Sequence, residues 1–398
     1  MRPARRGSMS VTTAPIRRRT PPWRNVRVLR IVLQTLFLLG VLFFLFLLFE
    51  NLTTNLRAQG IRTDFGYLQQ PAGFAIADAD FRPSQSIWDA IKVGAVNTIK
   101  VSLLGILLAT ILGVLVGIAR LSTNWLVRRS AAVYVETFRN IPVLVIILFW
   151  WLAVLLQLPA IRRALDLDVI VISNRGLVGP GLEQTGALTG FLVIVLAGVL
   201  GAVGVALWRT RHFDRTGKPH HRVLWSGTVL VLSLLVGFFA FGQPVGISLP
   251  ERGELATTGG FRLSPEYAAL LIGLALYTGS HIAEIVRGSI LAVPRGQSEA
   301  ANAVGLSGFH RMRFVVLPQA FRISVPPIAN QYLNLVKNTS LGVAIAFPEV
   351  TRITRIAIGQ QAPAPQSILV LMGVYLFFSL VIASVMNLIN RRLTLKGR

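Results

Sequence analysis

The sequence predicts an all-α, polytopic membrane protein with about eight transmembrane helices. The 398 residues are 53% hydrophobic and only 14% charged, whereas an ordinary soluble domain carries about 25% charged residues. The mean hydropathy is +0.62. Because a helix needs roughly 20 apolar residues to cross the hydrocarbon core, each long, nearly uncharged run predicts one span. Eight such runs occur, at about 27–49, 96–119, 141–157, 188–208, 223–241, 265–289, 323–346 and 367–390.

A basic tail, 1–26, precedes the first run. Its arginines are interrupted by Pro and Thr, a composition typical of a disordered segment held near anionic headgroups. For this reason the net charge of +24 is not taken to indicate nucleic-acid binding. The apolar run from Val28 to Phe49 exceeds the about 7–15 apolar residues of a signal peptide, and no A-x-A-like site follows it. The segment 27–49 is therefore predicted to remain as an anchor.

Composition and the apolar runs also set the predicted domain boundaries. After the anchor, Ile87, Trp88 and Ile91 recur at helical spacing and predict a short interfacial helix. The chain is predicted to divide into a basic tail 1–26, an anchor 27–49, a connecting segment 50–92, a main membrane domain 93–390 and a C-terminal tail 391–398.

The second run contains glycines and one lysine. Gly105, Gly113 and Gly117 fit close helix contacts, although glycine is also frequent in membrane helices in general, and both interpretations stay open. Lys100, near the start of the same run, is expected to extend its ammonium group to the membrane interface.

The distribution of Lys and Arg predicts the orientation of the spans. Positive residues accumulate in short cytoplasmic loops, and an even number of spans places both termini on one face. Of the 40 Lys and Arg residues, 27 fall on the face that holds the termini and 11 on the opposite face, while Lys100 and Lys337 lie inside predicted spans. Both termini and the loop 291–322 are therefore predicted to be cytoplasmic.

The loop 291–322 holds the most informative motif of the chain. It contains Glu299-Ala300-Ala301, then Gly305 after three further residues, and then Leu317-Pro318. The small alanines let a short helix lie close to a partner, and Gly305 permits a backbone turn that other residues resist. The pattern predicts a compact helix-turn-helix on the cytoplasmic face.

The spacing E-A-A-x3-G-x9-V-x-L-P resembles the EAA loop of ABC-importer permeases, with Val315 in place of the family's Ile. The resemblance implies an ABC type I importer permease fold in which this loop docks a separate ATPase. Glu299 is the expected polar contact, although a Glu at this position also favours the dipole of its own helix. The alternative to the whole motif is an ordinary loop with a chance E-A-A.

Further segments resemble the polar amino acid importers of that family. The interval 158–264 is longer than in ordinary members and supplies a loop, 172–177, and two additional spans. This enlargement and the N-terminal extension are similar to the Q-type permease subunit of general L-amino acid (Aap/Bzt-type) transporters. The matching segments are 135–144, 282–297 and 335–341.

The resemblance also implies a set of partners. It implies a bacterial inner-membrane importer of L-amino acids that contains two permease chains, two ATPase subunits and a periplasmic amino-acid-binding protein, surrounded by membrane lipids. ATP and Mg²⁺ would be bound by the ATPase, and no cofactor by this chain. The residues do not distinguish a homodimer of permeases from a heterodimer, and the heterodimer preference comes from the resemblance alone.

Polar groups inside spans indicate a candidate substrate path. Lys337-Asn338-Thr339-Ser340 interrupts the seventh run. For an α-amino acid, Lys337 could meet the carboxylate and Glu284 the ammonium, while Asn338 and Thr339 add hydrogen bonds. Alternatively, Lys337 pairs internally or reaches a water-filled vestibule. Tyr277 is a further candidate, in a stretch 277–281 whose small residues also suit close packing.

Arg287, Arg139 and Pro142 are candidates for a gate. Glu284 and Arg287 are one helical turn apart on one face, which predicts a substrate contact or an intramembrane ion pair. Their nearness to the loop 291–322 favours the ion pair. Arg139 lies in an elbow before Pro142 and is a candidate for the gate or for a headgroup contact, and Pro142 suits the start of a helix.

No pattern of a catalytic, metal-binding or nucleotide-binding site occurs in the sequence. Cysteine is absent, and the five His residues have no metal spacing. Gly217-Lys218 is followed by Pro and His rather than by Ser or Thr, so no phosphate-binding loop is formed. The chain is therefore expected to be no enzyme. An ion-coupled secondary amino acid carrier is the alternative function, and ATP dependence separates the two.

Overall fold

The computed structural model describes residues 26–58, 60, 64–184, 187–216, 221–241, 245–253 and 257–393. The predicted basic tail, apart from Val26, and the C-terminal tail from residue 394 lie outside the described residues. The chain forms two compact units, one up to Phe65 and one from Gly66 onward.

The first unit contains α1, Val26–Ala58. Its described apolar side chains are exposed on every side of the helix. A helix that is apolar all round is typical of a membrane span, and the segment Val28–Ala58 is long and apolar enough to be one. The helix covers the segment 27–49, where the sequence predicts a span, and continues past residue 49 to Ala58.

The second unit is mainly helical. A π-helical turn, Phe149–Leu155, extends α4, a second one, Met312–Val316, precedes α10, and a 3-10 turn, Thr339–Ile345, follows α10. Shorter 3-10 turns occupy Gly66–Gln69 and Ile161–Arg163. The α-helices are α2 Ile87–Ala119, α3 Trp125–Asn140, α4 Val143–Leu148, α5 Leu188–Thr216, α6 Arg222–Phe241, α7 Pro265–Leu291, α8 Arg295–Ala303, α9 Gly308–Arg311, α10 Leu317–Asn338, α11 Val350–Gly359 and α12 Ala364–Leu393.

Within the described residues, six helices are long and apolar enough to cross a membrane, and a bent pair could add a seventh. The six correspond to predicted spans. In the bent pair, α3 and the arm Val143–Leu155 meet at 106°, and that arm contains most of the predicted span 141–157. Asn140 ends α3, and α4 begins at Val143. Pro142 is the N-cap residue of α4, with ψ 134°, and therefore lies one position before the first helical position at which the sequence placed it.

The predicted apolar span at 323–346 is not among these helices. The chain is helical there, but α10 ends at Asn338, and the chain then forms the 3-10 turn and turns at Ala346, whose φ is 60°. Lys337 and the internal pair Pro326-Pro327 make α10 less apolar and less regular than the other long helices. α10 packs against α7 and α12, so packing rather than hydropathy holds it in the bundle.

The predicted interfacial helix at Ile87, Trp88 and Ile91 is not a separate element. These residues form the first turns of α2, which runs without a break to Ala119. Ser86 caps the helix because its Oγ accepts a hydrogen bond from the Asp89 backbone N–H at 3.1 Å. Nothing in the sequence between the cap and the second run ends a helix, so the two predicted segments merge.

Close contact between α2 and α7 forms the centre of the second unit. A Cβ on Gly113 would come within 2.6 Å of Ile282, and one on Gly117 within 2.7 Å of the Ala283 carbonyl oxygen. Larger residues at these two glycines would therefore push the helices apart. The prediction of close glycine contacts is confirmed for this pair.

The interval 158–264 contains short strands that an all-α prediction missed. The strands β1, β2, β3 and β8 form an antiparallel sheet in that order, while β4 pairs with β5 and β6 with β7. The loop 172–177 is the β2–β3 hairpin, in which Ser173 pairs with Gly176. Each strand has at most four residues, too few for alternation to indicate it in sequence. The strands are β1 Leu165–Asp166, β2 Val171–Ser173, β3 Gly176–Gly179, β4 Gly181–Gln184, β5 Val245–Ser248, β6 Glu251–Arg252, β7 Thr257–Thr258 and β8 Phe261–Leu263.

The two additional helices, α5 and α6, form an antiparallel hairpin that extends from the β4–β5 pair. They pack mainly against each other. Gly198 lies directly against Ser233, and a Cβ on Gly237 would come within 2.9 Å of the Phe191 ring. Their other faces carry exposed apolar side chains, including Leu196 and Phe239. Both helices pass as membrane spans, which confirms the two spans predicted in this interval.

Candidate functional site

The loop 291–322 folds as the predicted helix-turn-helix. At the end of α8, the Leu306 backbone N–H donates to the Ala301 carbonyl at 3.0 Å, and the Gly305 N–H donates to the Asn302 carbonyl at 3.0 Å. These two bonds define a Schellman motif, which requires a left-handed residue after the helix. Gly305 supplies it with φ 77°. Ser307 then caps α9, since its Oγ accepts from the His310 N–H.

Side-chain hydrogen bonds hold the two arms of this loop together. Arg311 Nη1 donates to Asn302 Oδ1 at 2.6 Å, and Gln319 Nε2 donates to Gln297 Oε1 at 3.1 Å. We refer to residues 295–319 as the clip. Because the turn is closed by backbone bonds and the arms by side-chain bonds, the clip is suited to move as one piece.

The clip exposes both apolar and polar groups. Val304 is 75% exposed, Phe309 68% and Phe314 59%. Such large apolar side chains grouped around one turn are typical of a protein contact surface. Of the motif residues, Ala301 is buried, whereas Glu299, Ala300, Gly305, Leu317 and Pro318 are exposed.

The expected ion pair of Glu284 is present and larger than predicted. Arg287 Nη2 is 2.5 Å from Glu284 Oε1, and Arg120 Nη1 makes a second ion pair with Glu284 Oε2. Arg139, in the last turn of α3, is exposed and makes no ion pair among the described residues. Glu284 therefore joins the end of α2 to α7 rather than standing free in a path. Arg120 was not singled out from the sequence, because 164 residues separate it from Glu284.

The polar stretch from Lys337 to Ser340 lies where α10 passes into the 3-10 turn. The Thr339 hydroxyl is buried and donates to the Val336 carbonyl at 2.7 Å, and the Ser340 hydroxyl donates to the Lys337 carbonyl at 2.8 Å. Both hydroxyls thus bond to their own chain. Lys337 is exposed, Asn338 is half-buried, and no ion pair of Lys337 occurs among the described residues.

Glu284 and Lys337 are not brought together. Leu335 and Leu271 both face Gly105, so the end of α10 lies level with the first half of α7. Glu284 is 13 residues further along α7, which corresponds to about 20 Å of helix. One amino acid cannot contact both side chains at once, and the two belong to different levels of the bundle.

Tyr277 lies on α7 near the elbow between α3 and α4. Its ring is 4.7 Å from the His281 ring, edge to face. The neighbouring Tyr134 hydroxyl donates to the Leu276 carbonyl at 2.7 Å, and a Cβ on Gly279 would come within 3.1 Å of that hydroxyl. Gly279 therefore serves close packing of α7, which was one of the two interpretations of this stretch.

Glu349 was missed by sequence reasoning. Its side chain is fully buried, caps α11 by accepting from the Thr351 and Arg352 backbone N–H groups at 2.8 Å, and accepts from the Tyr375 hydroxyl at 2.9 Å. Burial raises the pKa of the Glu349 carboxyl, against these hydrogen bonds, which lower it. The only sequence signal was a Glu just before a short helix.

Among the described residues, no three His, Asp or Glu side chains cluster in a way that could hold a metal ion. Together, the fold and the clip are those of a polytopic helical membrane protein that exposes one closed, partly apolar loop.

Comparison with known proteins gives the family. The family described as "Binding-protein-dependent transport system inner membrane component" matches residues 223–395, which include α7, the clip and α10. The chain is 39% identical to the general L-amino acid transport system permease protein AapQ of Rhizobium johnstonii, over 88% of each chain. It is also 39% identical to the putative amino-acid ABC transporter permease protein YhdX of Escherichia coli, over 88% of this chain and 90% of that one. The glutamate/glutamine/aspartate/asparagine transport system permease protein BztB of Rhodobacter capsulatus is 34% identical, over 94% of this chain and 95% of that one. The chain belongs to the binding-protein-dependent family of ABC-transporter permeases.

Proposed function

We propose that this chain is the permease subunit of an ATP-driven, binding-protein-dependent importer of L-amino acids. The clip carries the proposal, because it combines a closed turn, an exposed carboxylate and exposed aromatic side chains. The proposed partner at the clip is a separate ATPase that binds ATP and Mg²⁺. Closure of that ATPase would move the clip as a rigid body and so reorient the helices attached to it.

The proposed assembly contains two permease chains, this one and a related second chain, in a bacterial inner membrane. Both termini and the clip face the cytoplasm, in agreement with the excess of Lys and Arg on that side. The ends of α2 and α7 at Ile87 and Pro265 then face the periplasm, where a soluble binding protein delivers the amino acid. In this arrangement α10 completes an eighth crossing, packed against α7 and α12.

Glu284, Arg120 and Arg287 form what we call the Glu284 cluster. It lies toward the clip end of α7 and is proposed as a positioning element of the cytoplasmic gate. Arg120 and Arg287 neutralise the carboxylate, so the cluster fixes the end of α2 against α7. The substrate path at Lys337, Asn338 and Tyr277 remains a proposal supported by their position in the bundle.

The test is labelled L-amino acid uptake into proteoliposomes that contain this permease, its partner permease, the ATPase and the binding protein. Glu299→Arg reverses the charge of the exposed carboxylate and is expected to reduce ATP-driven uptake at least about tenfold, since a charge-assisted hydrogen bond contributes roughly 1.5–3 kcal/mol. Glu251→Arg makes the same change at an exposed position outside the clip and is expected to leave uptake intact.

Insertion of each variant is checked by its yield in the liposomes. Uptake that persists without the ATPase and is indifferent to Glu299→Arg would replace the importer by an ion-coupled secondary carrier.

A further inference from the structure

A cavity of about 600 Å³ lies between the starts of α2 and α7, outside the clip and the Glu284 cluster. We refer to it as the outer cavity. Its volume falls in the range of about 300–1,000 Å³ typical of small-molecule sites. The residues that give it chemical character are Asp78, Asn97, Lys100, Arg262, Ser264 and Tyr267.

The outer cavity brings together charges of both signs. Arg262 Nη1 lies 3.6 Å from Asp78 Oδ1. Lys100 is exposed to the cavity space and makes no ion pair among the described residues. Lys100 lies near the start of the predicted second span, and at this depth its ammonium needs water or an anion as a partner. The walls therefore carry one unmatched positive charge beside one carboxylate.

The walls are held in place from several directions. The Asn97 amide donates to the Pro348 carbonyl at 3.0 Å, and Arg262 Nη2 donates to the Arg175 carbonyl at 3.1 Å. Tyr267 packs edge to face on Phe347 with ring centroids 5.7 Å apart. These contacts join α2, the β2–β3 hairpin, β8 and the segment before α11, so the site does not depend on one flexible loop.

We infer that the outer cavity binds the amino and carboxylate groups of an α-amino acid on its way into the permease. Lys100 meets the carboxylate, and Asp78, held by Arg262, meets the ammonium. The remaining walls, with Leu104 and Phe347, are apolar and take side chains of different kinds. This inference rests on the proposed function and assigns a role to the enlarged interval 158–264, which supplies Arg262.

A phosphatidylethanolamine headgroup carries the same pair of charges, a phosphate anion and an ammonium. The geometry favours the free amino acid because the cavity is bounded by β8, Ser264 and Pro348 as well as by helices. The experiment must nevertheless separate these two sources of the same chemistry.

The first arm measures binding of labelled L-alanine to the complete complex in phosphatidylcholine nanodiscs, without ATP and without the binding protein. Lys100→Met is expected to weaken binding about tenfold or more, the loss of one hydrogen bond to a charged group. Lys100→Arg keeps the positive charge and is expected to retain most of the affinity for alanine. Lys92→Met, on the same helix but outside the cavity and paired with Asp89, is the matched control.

The second arm localises the bound amino acid. The natural chain has no cysteine, so Ala77→Cys, in the cavity wall, and Ala75→Cys, exposed but outside it, each give one reactive thiol on this chain. L-Alanine is expected to slow modification by a membrane-impermeant thiol reagent at Ala77→Cys several-fold and to leave Ala75→Cys unaffected. Propionate and ethylamine, which carry only one of the two charges each, are expected to protect weakly.

The third arm adds phosphatidylethanolamine to the nanodiscs. An alanine affinity that does not change when phosphatidylethanolamine is added supports the amino acid site. The site is instead a headgroup site if the lipid displaces alanine and if alanine fails to protect Ala77→Cys in nanodiscs without phosphatidylethanolamine. An alanine affinity that is the same in Lys100→Met and in the wild type also overturns the proposed amino acid site. These three arms need no ATP. Their failure is therefore distinguishable from a failure of the proposed function, which is tested by ATP-driven uptake into proteoliposomes.

Discussion

Glu349 is the one charged side chain of the described residues that is fully buried. It contacts the start of α11 and Tyr375 of α12 at once. A buried carboxylate is tolerated only where hydrogen bonds replace the lost water, and here two backbone N–H groups and a hydroxyl do so. The residue fixes α11 to α12 near the outer cavity, whose wall includes Phe347 and Pro348.

The raised pKa of Glu349 makes the stability of the second unit depend on pH. The folded protein holds the Glu349 proton more tightly than the unfolded chain does. The resulting contribution to the free energy of unfolding is complete below the ordinary pKa near 4.5, and it is lost as the pH rises through the pKa of the folded state. The melting temperature of the wild type, relative to Glu349→Gln, is therefore expected to fall between pH 4 and neutral pH in detergent. A difference that stays flat or rises would contradict this.

At the scale of elements, the clip depends on one backbone conformation. A Cβ at Gly305 would meet open space, so the cost of a substitution comes from φ 77° alone. A left-handed conformation costs an ordinary residue about 1–2 kcal/mol, whereas Asn tolerates it. The Schellman bonds, not side-chain packing, therefore make α8 and α9 one piece.

Gly305→Val is expected to open the turn, and Gly305→Asn to preserve it. In Gly305→Val, hydrogen exchange of the peptides that span 295–311 should become faster, and ATP-driven uptake should fall while the ATPase still turns over. Equal exchange in the two variants would show that the turn is held by other contacts, such as the bond between Arg311 and Asn302.

At the scale of the whole molecule, the second unit consists of a tightly packed bundle and a peripheral hairpin. Leu270, Leu274 and Ile282 of α7 are fully buried, while α5 and α6 pack mainly against each other. The hairpin extends from β4 and β5, whose last pair is Gln184 and Val245. Residues 185–244 can thus be removed in principle without separating the ends that flank them.

Replacing 185–244 by Asn-Gly, a two-residue turn that suits an antiparallel pair, is expected to keep the bundle folded. The shortened permease should insert, assemble and retain most ATP-driven uptake, because the clip, the Glu284 cluster and the outer cavity are all outside the removed part. Loss of insertion would show that α5 and α6 are needed to fold the bundle. Loss of uptake with normal insertion would assign the hairpin a role in transport.

Predictability from sequence differed between parts of the chain for physical reasons. An apolar run is a local property of the sequence, and seven of the eight predicted spans are found. Six of them are single helices that are long and apolar enough to cross a membrane, and the seventh belongs to the bent pair. α10 departs because its stability comes from packing against α7 and α12 rather than from its own hydropathy. The strands in 158–264 were missed because they are short and depend on pairing partners far along the chain, as β3 does on β8.

Hydropathy, glycine position and motif spacing are properties of neighbouring residues, so they were enough to predict a polytopic helical membrane protein with a helix-turn-helix clip. The permease class came from the resemblance of the motif in the loop 291–322 to the EAA loop. The folded structure was needed to show that Arg120 joins the ion pair of Glu284 and that Glu284 and Lys337 lie at different levels. It also decided that Lys100 lines a cavity with Asp78 and Arg262. Each of these depends on which segments of the folded chain come into contact, and sequence distance does not show this. Arg120 and Glu284, for example, are 164 residues apart in the sequence.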